Sequence, residues 1–515
     1  MNILSRNKMI EKHIHVKKDD TVKEFRNNVD FCVGTGRMGL ALHEEYMDEL
    51  RFVQEEIGFK HIRGHGLFCD DMAIYQFRED EEGNKVLEYN FTYLDRVFDG
   101  YLKLGIRPFL ELGFMPAELA SGDQTVFYWK GNVTPPKDYR GWCALVQALL
   151  RHLIDRYGRD EVTSWPVEVW NEPNLTGFWK DADMDEYFRL FDETFRAVKE
   201  VDKRFRVGGP AVCGGTDEIW IKAFLDFCDE NGIDVDFITR HHYTCGISER
   251  IGHYTYPDPD DPQCGRDNLK TTRDITDSYD RYRGKEIHIT EFNTSWYPRT
   301  VIHDTNFNAA YIAHQLSWLG DLNESYSYWT FGDVFEETGV PFSLFHGGFG
   351  MVANGCIPKP TFWTFKFYKN LKDRGAECAY RSDNAVIMRK TGGGWCGIAW
   401  NFGMDGGNEE LELKLSLDAA DGEYSFVMHT ADPVTCNPLK AWHDIGEPKT
   451  PTEMQLDIIK GAAQPFVSTE RLSAHEGRLE KKIPVRDCGV VYFELTPSEL
   501  ISDRGYDYSR VTEIR

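Results

Sequence analysis

The stretch Pro166–Pro173 reads PVEVWNEP, an apolar run from Val167 to Trp170 closed by Asn171, Glu172 and Pro173. Ten residues further on, Met184–Val201 carries its apolar side chains at the three-to-four spacing of a helix packed on one side. A short apolar strand followed by a crossover helix is the unit of a parallel α/β fold. Working outward in both directions, the same unit recurs. FCVGTG (31–36), HIRGHG (61–66) and RPFLELGF (107–114) precede it, while RVGGPAV (206–212), FITRHHY (237–243), EIHITEFN (286–293) and SYSYWTF (325–331) follow. A segment long enough for a helix separates each run from the next, as Cys143–Tyr157 does before the fourth. Eight such units in about 300 residues predict an α/β chain of the (β/α)8 TIM-barrel type. An open doubly wound sheet fits less well, because no G-x-G-x-x-G turn follows the first run as that fold requires.

Past Leu344 the helical spacing fades, and runs such as AVIMRK, CGIAWNF, EELELKLSL and GVVYFELTP alternate with Gly, Asp and Asn turns. These predict a C-terminal accessory β-sandwich, interrupted by one helical stretch near Pro451–Ala463. The first dozen residues add a strand to it. The predicted boundaries are therefore 15–344 for the barrel, with 1–14 and 345–515 for the sandwich. Tyr254–Asp267, rich in Pro and Asp, reads as a polar loop after the sixth strand.

The composition narrows the function. Over 515 residues, 41% are hydrophobic, 28% charged and 14% aromatic, which excludes disorder. The formal charge of -25 argues against nucleic acid or an anionic membrane surface as partner. Twelve cysteines are scattered singly with no C-x-x-C pair, as in a reducing compartment, and the start of the chain has no apolar signal segment. The expectation is a cytoplasmic protein without membrane anchorage.

In a barrel the carboxyl ends of the strands converge on one rim, so reactive residues at the ends of the runs are the informative ones. Glu172 ends the fourth run and Glu291 the seventh, on strands that face each other across the mouth. An ionisable group without a role is costly to bury there. Paired carboxylates in that position are the equipment of glycoside hydrolysis, and their separation sets its stereochemistry. The pairs His241–His242 and Asp70–Asp71 do not read as metal ligands, since neighbours on a strand point to opposite faces and no third ligand stands at a standard spacing. Neither Ser121 nor Cys213 has His and acid partners at motif spacing. No metal and no cofactor is expected.

WNEPN at 170–174 with TEFN at 290–293 resembles the acid/base and nucleophile motifs of the retaining (β/α)8 glycosidase clan. RGHG (63–66), SGDQTVFYWKGNVTPPKDY from Ser121, GGPAVCGG from Gly208, RHHYT from Arg240, YWTFGDVFEE from Tyr328 and FHGGFG from Phe345 are similar, more narrowly, to bacterial β-xylosidases of glycoside hydrolase family 39. The resemblance spans the barrel and is weaker beyond it. It implies that Glu172 is the general acid and base, that Glu291 is the nucleophile and raises the pKa of Glu172, and that Asn171 binds the sugar 2-hydroxyl. It places His65, His241, Tyr243, Trp329, Glu336 and Glu337 in the sugar pocket, His241 as a hydroxyl ligand or a positive neighbour of the carboxylates, with Phe178 and Trp296 near the mouth. Trp296 departs from the Tyr common in bacterial relatives. The implied activity is release of xylose from the non-reducing end of xylo-oligosaccharides or aryl xylosides, by an enzyme that assembles as a homo-oligomer, tetramers being common among relatives. An α-L-iduronidase is disfavoured, because Glu336 and Glu337 would repel a sugar carboxylate. β-Glucosidase and α-L-arabinofuranosidase activities, and a non-catalytic sugar-binding barrel, are the remaining alternatives.

Overall fold

The computed structural model describes residues 8–22, 25–404, 409–499 and 508–512. The eight runs form eight barrel strands: Cys32–Arg37, His61–His65, a third in two pieces (Arg107–Pro108 and Leu110–Leu112), Pro166–Val169, Arg206–Val212, Phe237–Ile251, Glu286–Ser295 and Ser325–Tyr328. Every neighbouring pair is parallel, and the eighth strand pairs with the first. The break at Phe109 lets the third strand serve both neighbours. Its first piece pairs with the second strand and its second piece with the fourth, which completes the ring. Parallel strands are covered on both faces, which explains why the runs are continuously apolar rather than alternating.

A helix follows each strand. Met184–Val201 buries Tyr187, Phe188, Leu190, Phe191, Ala197 and Val198, the stripe its spacing predicts. Asp183 caps it by accepting from the Glu186 amide. The helix before the fourth strand begins at Tyr139 rather than Cys143, because Asp138 accepts from the amides of Arg140 and Gly141 and starts it four residues early. The polar segment after the sixth strand is not simply a loop. The strand runs on to Ile251 and Tyr254–Pro259 returns antiparallel to it, with Pro257 and Pro259 on an outer strand where no ladder donor is required.

The chain divides into two units, 24–369 with 436–464, and 1–23 with 370–435 and 465–515. The first therefore runs past the predicted boundary at 344/345. Lys359, fully buried, sits 2.6 Å from Asp304 and 2.7 Å from Asp333, and Thr364 donates to the carbonyl of Ala309. The helix Pro360–Arg374, which these contacts hold, is the eighth barrel helix. Helices Pro438–Asp444 and Glu453–Ala462 also belong to this unit, where Trp442 and Ile459 pack with Leu344, Phe345 and Ile357. In the second unit a six-stranded sheet and a three-stranded sheet enclose one core. Leu411, Leu413 and Leu415 of Glu409–Asp418 meet Phe426, Phe493 and Leu495 there. Lys8–Val16 lies parallel to Glu409–Asp418 and contributes Ile14 and Val16.

Candidate active site

Arg63, on the second strand, is fully buried at the centre of the rim, and a buried guanidinium must be matched by acceptors. Its Nε donates to Glu168 at 2.7 Å, Nη1 to Glu291 at 2.5 Å and Nη2 to Asn171 at 2.9 Å. Glu111 stands 2.9 Å from Nη2. Acceptors from three other strands are thus gathered on one cation, which the surrounding carboxylates hold above its ordinary pKa.

The backbone is shaped to serve this centre. Trp170 and Glu172 both take left-handed conformations, at φ 72° and 43°, which are costly for residues with a Cβ. Hydrogen bonds from the Trp170 amide to Leu112 and from the Glu172 amide to Ala211 hold them between the third and fifth strands. On the seventh strand a bulge lets Arg240 pair with Ile289 and His241 with Glu291, so that Thr290 is extra. Thr290 donates to Glu168, and Glu291 is aimed at the cavity.

Glu291 accepts from Tyr243 Oη at 2.7 Å, and His65 Nε2 lies 3.5 Å away. His65 Nδ1 is 2.7 Å from Glu111. Across the cavity, Glu172 Oε1 is 2.9 Å from His241 Nδ1. An oxygen of Glu172, an oxygen of Glu291 and a ring nitrogen of His241 all lie within 4.8 Å of one another. Three such atoms have the spacing of a metal triad, but Glu291 already faces the fixed positive charge of Arg63, which opposes a second cation there.

Burial raises the pKa of Glu172 to about 7; Glu111 adds to the rise, while His65 and Arg63 oppose it. Desolvation, not the Glu291 charge the resemblance implies, therefore leads. Burial also lowers His241 to about 4, so it is a neutral neighbour rather than a positive one. Glu337 is pushed well above the carboxylate range by burial and then by Glu291 and Glu172.

His65, Asn171, Phe178, Tyr243, Trp296, Trp329 and Glu337 line the cavity of about 760 Å³ onto which Glu172 and Glu291 open. The Trp329 ring, 1% exposed, stands 4.7 Å from His65. Trp296 is 52% exposed at the mouth. His241, expected in the pocket, is fully buried behind the lining, where it holds Glu172. Glu336, in contrast, turns to Arg37, with Nη2 at 2.8 Å from its carboxylate, and is not among the lining residues. The Cys213 thiol lines the cavity but is pushed up to about 11 by burial, which removes it as a nucleophile. Sequence reasoning passes over Arg63, Glu111 and Glu168. Their signal is that of Glu172, an ionisable residue inside an apolar run, but one or more positions before its end.

The match to known proteins is extensive. The model of glycosyl hydrolases family 39 covers residues 12–480. A β-xylosidase of Geobacillus stearothermophilus is 46% identical over 478 residues, 92% of this chain and 93% of that protein. A β-xylosidase of Caldicellulosiruptor saccharolyticus is 34% identical over 84% of this chain and 88% of its own. The crystal structure of a monomeric β-xylosidase from Caulobacter crescentus CB15 superposes with a TM-score of 0.84 at 30% identity, over 94% of this chain and 99% of that one. Chain and site together are those of a barrel glycosidase. The chain belongs to glycosyl hydrolase family 39.

Proposed function

We propose that the protein is a retaining, exo-acting β-D-xylosidase that removes xylose from the non-reducing end of short xylo-oligosaccharides. The observation that carries the mechanism is the pair of carboxylate oxygens, from Glu172 and Glu291, within 4.8 Å of each other. Carboxylates that bring one oxygen each this close suit the roughly 5–5.5 Å group spacing of double displacement better than the ~6.5–9.5 Å that inversion needs for a water. The 46% identity to a β-xylosidase supports the substrate.

Glu291, paired with Arg63 and oriented by Tyr243, attacks the anomeric carbon as Glu172 gives its proton to the departing oxygen. A pKa of about 7 keeps that proton in place near neutrality. With Nδ1–H of neutral His241 donating to Oε1, the proton sits on Oε2. Once Glu291 is esterified its charge no longer offsets Arg63, the pKa of Glu172 falls, and the carboxylate takes a proton from the incoming water. Release of the sugar restores both groups. Asn171, anchored through Arg63, suits the 2-hydroxyl, while Trp329 and Glu337 suit the remainder of the xylosyl ring.

The argument that two glutamates repel a uronate loses its footing, because Glu336 is paired with Arg37 and burial favours the neutral form of Glu337. The preference for xylose rests on the relatives. We read the all-β unit as an accessory sandwich and the protein as cytoplasmic. Among the described residues no helix is long and apolar enough to cross a membrane. Homo-oligomer formation is part of the same reading, whereas the Caulobacter relative is described as monomeric. Proton NMR of an aryl β-D-xyloside digest tests the reaction: β-xylose before mutarotation is expected, and α-xylose would overturn the assignment of Glu291.

A further inference from the structure

No residue of the first barrel strand, Cys32–Arg37, lines the cavity, yet the strand runs against the wall that closes it. Its end is stripped of side chains where rings of that wall approach. A Cβ on Gly34 would stand 2.5 Å from the Trp329 ring, and one on Gly36 would stand 2.9 Å from the Phe335 ring. Neither glycine has a positive φ, so space and not backbone conformation requires them there. Phe335 in turn meets Trp329 edge to face, with ring centroids 6.0 Å apart.

The strand ends in Arg37. Its Nη2 donates to the Glu336 carboxylate at 2.8 Å, while Nη1 pairs with Asp71. Glycine makes room again, since a Cβ on Gly39 would lie 2.5 Å from both Arg37 Nη1 and Asp71 Oδ2. The guanidinium is thus fixed by Asp71 on one side and reaches the loop beyond the eighth strand on the other.

That loop carries Glu337, which faces the cavity. Its backbone has two restraints of its own: the Tyr128 amide donates to the Glu337 carbonyl at 2.8 Å, and Arg299 Nη2 to the Thr338 carbonyl at 2.6 Å. Among the described residues none bonds the Glu337 carboxyl itself. Burial and the charges of Glu291 and Glu172 weigh against a carboxylate there, so its inward pose needs a restraint from outside the cavity. Glu336 and Glu337 are adjacent and of one type, and a small rotation of the loop would exchange them. Arg37 removes that choice. With the Glu336 side chain held outward, the next one is aimed at the cavity.

Resting on the xylosidase reading, we propose that Arg37 is a positioning residue for sugar binding, which by holding Glu336 outward keeps Glu337 turned toward the xylosyl unit. Arg37 touches no substrate; its effect passes through Glu337.

A double-mutant cycle between Arg37 and Glu337 tests this. KM and kcat for an aryl β-D-xyloside, and the inhibition constant of xylose, are measured for wild type, Arg37→Gln, Glu337→Gln and the double variant. Arg37→Gln is expected to raise KM and the inhibition constant about tenfold, with kcat within about threefold of wild type. In the Glu337→Gln background the same substitution should change them by less than about twofold, because its route to the sugar is already cut. Arg37→Lys, which keeps the charge, should lie nearer to wild type than Arg37→Gln. An equal rise in both backgrounds, as a general loosening of the barrel would give, would overturn the proposal. So would an Arg37→Gln enzyme with wild-type constants or with a loss confined to kcat, or a Glu337→Gln enzyme that binds xylose normally. Glu336→Gln cuts the same bridge from the loop side, and it takes the place of Arg37→Gln in the cycle if that variant fails to fold. Wild type that cleaves no aryl xyloside overturns the xylosidase reading, and the cycle run on the aryl glycoside it does cleave then judges Arg37 alone; cleavage of no aryl glycoside overturns both.

Discussion

The rim of the barrel and the interior of the second unit solve opposite problems with the same chain. At the rim Arg63, His65, Glu111, Glu168, Glu172, His241 and Glu291 are all buried. In the second unit Asp432 is the one charged residue buried among those described, and it is paired with Arg486 at 2.6 Å. Stability there comes from apolar area, through Leu413, Phe426, Phe493 and their neighbours. At the rim, packing would be easier without charges, and they are retained for what they do to one another. The contrast teaches where substitution should damage chemistry and where it should damage only the fold.

Arg63→Met should blur the contrast most. It leaves Glu111, Glu168 and Glu291 buried without their shared cation. Breaking a buried ionic cluster costs about 3–5 kcal/mol, so the midpoint of urea unfolding should drop sharply, with turnover of an aryl xyloside lost even in the folded fraction. Retained activity would mean that Arg63 does not orient Glu291. Leu413→Ala tests the other side. A cavity in an apolar core costs about 2–5 kcal/mol, while kcat per folded molecule should hold, and a comparable fall in kcat would contradict the division.

The smallest effect concerns proton linkage at Glu172. Its folded pKa of about 7 lies above the roughly 4.3 of an unfolded glutamate, so between those values the folded state holds a proton that the unfolded state has released. Stability from this group is therefore complete below about pH 4.3 and declines as pH rises through about 7. Glu172→Gln cannot ionise, so relative to wild type it should be more stable at pH 8 than at pH 4.5, by on the order of 1–3 kcal/mol. In parallel, kcat/KM of the wild type should fall above pH 7 as the proton is lost. Unfolding curves of the two proteins that shift together between these pH values would remove the raised pKa.

The barrel is legible because each parallel strand, covered on both faces, leaves an unbroken apolar run. Eight of them, at helix-sized intervals, leave few alternatives. The helix Pro360–Arg374 falls past Leu344, where the sequence reading expects a sandwich and no helix, and spacing in any case reveals which residues face a core and not which core they face. The helix Glu453–Ala462 is expected from its spacing, but for that reason it reads as part of the β-rich sequence around it. Glu172 and Glu291 stand out because a carboxylate at the end of an apolar run is conspicuous. Arg63, Glu111 and Glu168 are as conspicuous once the whole run is considered. What sequence cannot supply is the pairing, since their partners lie on other strands. The same limit misplaces Glu336: neighbours at 336 and 337 look alike in sequence, but Arg37, about 300 residues away, draws only one of them aside.

The order in which the units take up the chain has a last consequence. The polypeptide passes between them four times, at 23/24, 369/370, 435/436 and 464/465. A truncation at 369/370 would cut the helix Pro360–Arg374, would remove the helices of 436–464 along with the strands of the second unit and would leave Leu344, Phe345 and Ile357 without their cover. Neither unit is a detachable module that a gene could gain or lose at one end. They are interleaved along the sequence, so the second unit has to be inherited and translated together with the first.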